Sequence, residues 1–395
     1  MDLASVRAHF PALDLGTAHF DGPGGSQVPA TVARAVAEAM TAGLCQRGTA
    51  SATERRTDAV VVEARRALAD LVGGDPRGVV FGRSMTQLTF DLARTLSSGW
   101  GPGDEVVVTR LDHDANIRPW VLAAERAGAT VRWLGFDPVT TELDDLAPLL
   151  SERTRLVAVT AASNLFGTRP DVAGLAAQAH AVGALVYVDA VHLAPHAPVN
   201  LTALGADLLV VSPYKLFGPH LGALVADPAL LEGLRPDKLL PSTDAVPERF
   251  ELGTLPYELL AGATAAVDFI AGLHPSEGTR RERLLASMTA VAEHEAGLLR
   301  YLLDGLASTE GVTVHGRAAR RTPTVLFTVE GHPPREVHEQ LAAAGVNAPS
   351  GHFYALEAAR HAGLGDAGGV RVGVAAYTSP DDVDRLLGCL RSLLG

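Results

Sequence analysis

Between about Val79 and Ala226, short runs of consecutive apolar residues alternate with longer, Ala-rich stretches of helical period. The runs read GVVFG, DEVVVTR, ATVRWLG, RLVAVTA, ALVYVDA, DLLVVSP and LGALVAD. Strands that are apolar at every position rather than at alternate ones are buried on both faces, which is the condition of a parallel sheet covered by helices. The pattern therefore predicts crossover units building a large α/β domain with a mostly parallel sheet flanked by helices. After a loop marked by Pro241 and Pro247, helical patterning returns through about Gly305. VTVHG, TPTVLFTVE and GVRVGVA then alternate with helices, predicting a smaller C-terminal α+β domain. The division expected is an N-terminal segment, 1–20, packing with the small domain; a large domain, 21–255; and a helical connection with the small domain, 256–395. No repeat of 20 to 50 residues interrupts this reading.

Composition narrows the partners. Of 395 residues 47% are hydrophobic and 20% charged, enough apolar surface for a large core. Thirty-three basic against 45 acidic side chains leave a net charge of −12, the opposite of a nucleic-acid-binding footprint. No window approaches the roughly 18 apolar residues of a membrane span, and MDLASVRAHFPALDL lacks the apolar core of an export signal, so a cytoplasmic protein is expected. Cys45 and Cys389 are the only cysteines, too few for a disulfide framework and without metal-ligand spacing, so no metal is expected. Cys389 falls on the apolar face of DDVDRLLGCLRSLL and is expected to be an inert core residue.

Ligands of open α/β sheets gather beyond the carboxyl ends of the strands, so polar residues there are informative. Ser84, Met85 and Thr86 follow the first run; His113 and Asn116 follow the second; Asn164, Asp189, His192, Ser212 and Lys215 end later ones. Singly, Ser84 reads as a helix N-cap, Asn164 as a turn residue and His113 as a surface histidine. Asp189 and Lys215 resist such readings, because each ends a strongly apolar strand where a charge is costly unless paired or used. As a set they make a cofactor site. Hydroxyls and free N–H groups at a helix N-terminus suit a phosphate, a carboxylate can hold the proton on a pyridine nitrogen, an imidazole can stack on the ring, and a desolvated lysine is a nucleophilic amine.

The spacing of these residues resembles that of the class V aminotransferase-type, fold-type I pyridoxal-phosphate (PLP) enzymes of the cysteine desulfurase-like group. His113-Asp114-Ala115-Asn116 followed by Pro119-Trp120, Asp189-Ala190-Val191-His192, Ser212-Pro213-Tyr214-Lys215 with 26 residues from Asp189 to Lys215, Arg249-Phe250-Glu251-Leu252-Gly253-Thr254, and Val370-Arg371-Val372-Gly373 carry the likeness. The resemblance implies PLP bound as a Schiff base to Lys215, with His113 on the ring, Asp189 at its nitrogen and Ser84, Met85 and Thr86 at the phosphate. Asn164, His192, Ser212 and Tyr214 surround the cofactor. Thr254 reaches the phosphate of the partner subunit's cofactor, which implies a homodimer with shared sites. Arg371 clamps the carboxylate of a small amino-acid substrate, with Asn164, Arg47 and Gly25 on the same side.

Three departures shape the expected chemistry. His192 stands where relatives have glutamine, Tyr214 where they have histidine, and the stretch from Asn347 to Tyr354 lacks the cysteine that takes sulfur in a desulfurase. Cys45, just before Gln46-Arg47-Gly48, is the one thiol that a substitute role would need. The expected reaction is abstraction of the α-proton followed by C–S β-elimination from a cysteine-type or S-conjugated amino acid. Aminotransfer, oxidative deamination and epimerisation are the alternatives, and a true desulfurase or a non-catalytic PLP-binding protein is less favoured. A nucleotide-binding reading fails because no P-loop or GxGxxG follows a strand.

Overall fold

The computed structural model describes residues 1–394. All seven apolar runs form one seven-stranded sheet, in the spatial order Val79–Gly82, Gly222–Ala226, Leu208–Val211, Leu185–Asp189, Thr154–Thr160, Glu105–Thr109 and Thr130–Leu134. Six of these strands run in one direction; only Gly222–Ala226 is reversed, antiparallel to both of its neighbours. Successive side chains enter cores on opposite faces. Val157, Val159, Val186, Val188, Leu209 and Val211 point to one side, and Leu156, Ala158, Tyr187, Leu208 and Val210 to the other. Helices cover both layers, which is why the inner strands are almost wholly apolar, while the edge strand Thr130–Leu134 leaves Thr130 and Arg132 exposed.

Local signals set several boundaries. The helix Ala52–Val72 starts with a capping box between Ser51 and Glu54 and stops at Gly73, whose φ of 67° suits glycine. Thr279 and Glu282 make the same box at the head of Arg280–Ala307, a 28-residue helix that runs from the large lobe into the small one.

The small lobe holds a four-stranded antiparallel sheet in the order Ser350–Gly351, Gly369–Gly373, Thr324–Val329 and Val312–His315. Helices Pro334–Ala343 and Pro380–Leu394 pack around its core of Val325, Phe327, Val370 and Val372. Residues 1–20 divide between the lobes. Ala18–His19 pairs in parallel with Val346–Asn347, and Arg7 bonds Asp382, while Val6 and Phe10 join the large-lobe core, Phe10 against Phe217 and Phe269. Cys389 is not a fully buried core residue as its helical position suggested. It is half-buried, because the stripe of Val383, Leu386 and Leu390 faces inward and residue 389 falls at its margin. Among the described residues no helix is long and apolar enough to cross a membrane, and none of the His, Cys, Asp and Glu side chains cluster as a metal site.

Candidate active site

The carboxyl ends of the parallel strands finish along one edge of the large sheet, and the segments that follow them line two connected cavities. The inner one, of about 70 Å³, is walled by Ser84, Met85, Thr86, His113, Asn164, Asp189, His192, Ser212, Tyr214 and Lys215. Every strand-end residue singled out from the sequence, apart from Asn116, meets there. The outer cavity, of about 570 Å³, shares Thr86, His113, Asn164, Tyr214 and Lys215 and adds Arg371, Phe353 and Tyr354.

The helix Met85–Ser97 opens directly onto the inner cavity. Ser84 is its N-cap, accepting from the Gln87 N–H at 3.1 Å, so its ordinary role and its position at the cavity coincide. The antiparallel strand passes this turn so closely that only glycine fits at Gly222, since a Cβ there would lie 2.4 Å from the Met85 nitrogen. A helix N-terminus with free N–H groups, brought flush against the sheet, is a fitting cradle for a phosphate.

Electrostatics follow from burial. Lys215 is 7% exposed at the end of the turn Pro213–Lys215; burial, helped by the charge of Arg371 and opposed by that of Asp189, pushes its pKa down to about 8. Asp189 is pushed up to about 6 by burial, against the Val191 N–H donating to its Oδ1 at 2.9 Å and the charge of Lys215. His113 is lowered to about 3 by burial and by Lys215 and Arg371, so its ring is neutral. It accepts from the Ala115 N–H at 3.0 Å, and its ring lies 5.5 Å from that of Tyr354 at 26°.

Asp112, which sequence reasoning passed over, is fully buried beneath His113. It accepts from Asn116 Nδ2 at 2.6 Å and the Thr160 N–H at 3.1 Å and bonds the Thr109 hydroxyl, while Asn116 Oδ1 accepts from Trp120 Nε1. Asn116 thus braces the turn that carries His113 rather than lining the cavity.

The segment from Asn347 to Tyr354 folds over the outer cavity. Its Phe353 carbonyl accepts from Asn164 Nδ2 at 2.9 Å and its Tyr354 carbonyl from the Asp114 N–H at 2.7 Å, pinning the small lobe to the large one. Both residues are held in the left-handed region, at φ of 51° and 59°, a costly conformation for two aromatic residues in succession. Phe353 lies over the Arg371 guanidinium, 3.7 Å from ring centroid to Cζ. Arg371 itself is 2% exposed with no carboxylate partner: Nη1 donates to the Asn164 carbonyl at 3.0 Å, and Nε is buried without a partner. Burial drives its pKa down to about 9, with Tyr214 and Asp21 opposing. A fork with an unmet edge, on a residue that lines the cavity, suits a carboxylate ligand.

Three residues expected at the site stand elsewhere in this chain. Arg47 pairs with Asp58 and with Glu248, at 2.9 and 2.8 Å, outside the cavity. Thr254 is exposed on the surface. Gly25 backs Tyr214, whose ring would sit 3.3 Å from an added Cβ, while Pro23 and Gly24 form the cavity wall. For Arg47 and Thr254, a position in a neighbouring subunit's site is the reading carried over from their motifs.

Comparisons with known proteins agree with this geometry. The Aminotransferase class-V family pattern matches residues 18–386. The uncharacterized protein MT3887 of Mycobacterium tuberculosis is 38% identical, with 99% of each chain covered, and the aminotransferase-like protein FGM3 of Gibberella zeae is 34% identical, covering 99% of this chain and 98% of its own. Among solved structures, the cysteine desulfurase CsdA of Escherichia coli superposes with a TM-score of 0.88 at 26% identity, covering 100% of this chain and 98% of that one.

Proposed function

Because the chain belongs to the class V aminotransferase family, whose members use PLP, we propose that it catalyses C–S β-elimination from a cysteine-type or S-conjugated amino acid. The residues fit the cofactor: a helix N-terminus for the phosphate, Asp189 for the ring nitrogen, His113 for the ring face and Lys215 for the aldehyde. When bound, PLP supplies an electron sink for the α-carbon of the substrate. The protein supplies the rest. Arg371 holds the carboxylate through its unmet edge, and Lys215, with a pKa brought near neutrality, takes the α-proton. His113, neutral throughout the working range, orients the ring without competing for that proton.

The observation that carries the choice of reaction is the segment over the cavity. It presents Phe353 and Tyr354 and no thiol, so sulfur leaving the β-carbon meets no acceptor on this segment and departs as a small thiol or sulfide. Thr254 and Arg47 extend the reading to a homodimer with shared sites. The test is to load the purified protein with PLP, incubate it with L-cysteine, S-substituted cysteines and ordinary amino acids, and follow pyruvate, ammonia and thiol. Thiol and pyruvate in equal amounts are expected. Alanine, or a keto acid that retains the substrate side chain, would overturn the proposal in favour of desulfuration or aminotransfer.

A further inference from the structure

We propose that Thr324, on a strand of the small lobe, is a positioning residue that sets the tautomer of His192, a residue lining the cofactor cavity, and keeps its proton on Nδ1. His192 is 2% exposed and lines the inner cavity together with Asp189, Ser212 and Lys215. Its Nε2 lies 2.9 Å from the Thr324 hydroxyl and 3.3 Å from that of Thr322, and its Nδ1 is buried with no protein partner.

Proton bookkeeping decides the roles. The Thr322 hydroxyl can donate to the Gly167 carbonyl at 3.3 Å. The Thr324 side chain is fully buried and its hydrogen bond is to Nε2. If Nε2 carried the proton, the Thr324 hydroxyl proton and the Nδ1 lone pair would both be buried unmet, whereas a proton on Nδ1 leaves only that one N–H without a protein partner. Thr324 therefore donates, Nε2 accepts, and the single proton of a neutral imidazole sits on Nδ1. Burial, with His196, Lys215 and Arg371 close by, keeps the ring neutral.

The consequence is a buried N–H that no protein group satisfies, on a residue that lines the same inner cavity as Asp189 and Lys215. It calls for an oxygen acceptor on that ring. Where relatives carry glutamine, an amide donates with no tautomer to set; histidine here needs the small lobe to complete it. Thr324 pairs across the sheet with Gly373, two residues from Arg371, so one strand pair both clamps the substrate and aims this donor.

The test reads the tautomer directly. In unliganded protein labelled with ¹⁵N-histidine, the His192 signals, assigned by their loss in His192→Gln, should show a protonated Nδ1 and a bare Nε2. Thr324→Val should move the equilibrium toward protonated Nε2, and Thr324→Ser should restore the original pattern. In PLP-loaded protein Thr324→Val should shift the visible absorption band and weaken cofactor retention about ten-fold, the scale of one hydrogen bond to a charged acceptor. A wild-type His192 protonated at Nε2 would overturn the proposal. So would an unchanged tautomer in Thr324→Val.

Discussion

Replacing Arg371 by alanine should remove amino-acid affinity while leaving cofactor binding and the fold in place. The guanidinium is 2% exposed and has no carboxylate partner, and burial has moved its pKa from 12.5 to about 9. At about 1.4 kcal/mol for each pKa unit, that displacement corresponds to a solvation penalty on the order of 5 kcal/mol in the unliganded protein. A substrate carboxylate meeting Nε and Nη2 offsets part of that penalty, so its loss should cost about 2 to 4 kcal/mol of binding, or roughly 30- to 700-fold in Kd. The unliganded variant should melt no lower than wild type by more than a few degrees, since alanine removes a strained charge along with the packing against Phe353. Arg371→Lys should recover only part of the affinity, because an ammonium cannot match both oxygens of a carboxylate. The assay is a titration of PLP-loaded protein with an amino acid and with the amine that lacks its carboxylate, read from the visible band. If Arg371→Ala binds the amino acid within three-fold of wild type, or if wild type binds the amine equally well, the carboxylate clamp is elsewhere.

Lys215→Ala should lose the visible band of covalently bound PLP and nearly all turnover; a retained band with full activity would remove the central assignment. Loading of unliganded protein with PLP needs the neutral amine, so its rate should rise with pH to a midpoint near 8, where burial places Lys215, rather than near 10.5, as stopped-flow absorbance would show. Intact-mass analysis after treatment with L-cysteine should show no added sulfur, because the segment over the site has no thiol and Cys389 is half-buried in the small lobe; an adduct mapped to the exposed Cys45 would restore the desulfurase reading. Thr254→Ala should weaken PLP retention although its side chain lies outside its own chain's cavity, and a fully active monomer by analytical ultracentrifugation would refute the shared site.

What could be read along the chain was governed by local rules. Short runs rich in apolar and β-branched residues marked all seven strands of the large sheet, and the inner ones are apolar almost throughout because a strand covered on both faces has no polar side to show; the edge strand Thr130–Leu134 keeps Thr130 and Arg132 exposed. Asp189 and Lys215 stood out because a charge that closes such a run is too costly to keep without a use, and the resemblance of the motifs around them to a known family implied a cofactor and, at Arg371, a substrate clamp. The departures at His192, Tyr214 and the thiol-free segment were legible in the same way, as residue types out of place in a known pattern.

Tertiary structure decided what depends on atoms far apart in the chain. Thr324 lies 132 residues from His192, and nothing in either neighbourhood announces that one hydroxyl sets which nitrogen of the other carries a proton. Phe353 covers Arg371, and its carbonyl meets Asn164 across 189 residues of sequence. Asp112 acquires its role only when Thr160 and Asn116 close around it. The physical reason is the same in each case. Secondary structure and the cost of a buried charge follow from a residue and its near neighbours, whereas the satisfaction of a particular donor or acceptor depends on which distant group the completed fold brings within about 3 Å.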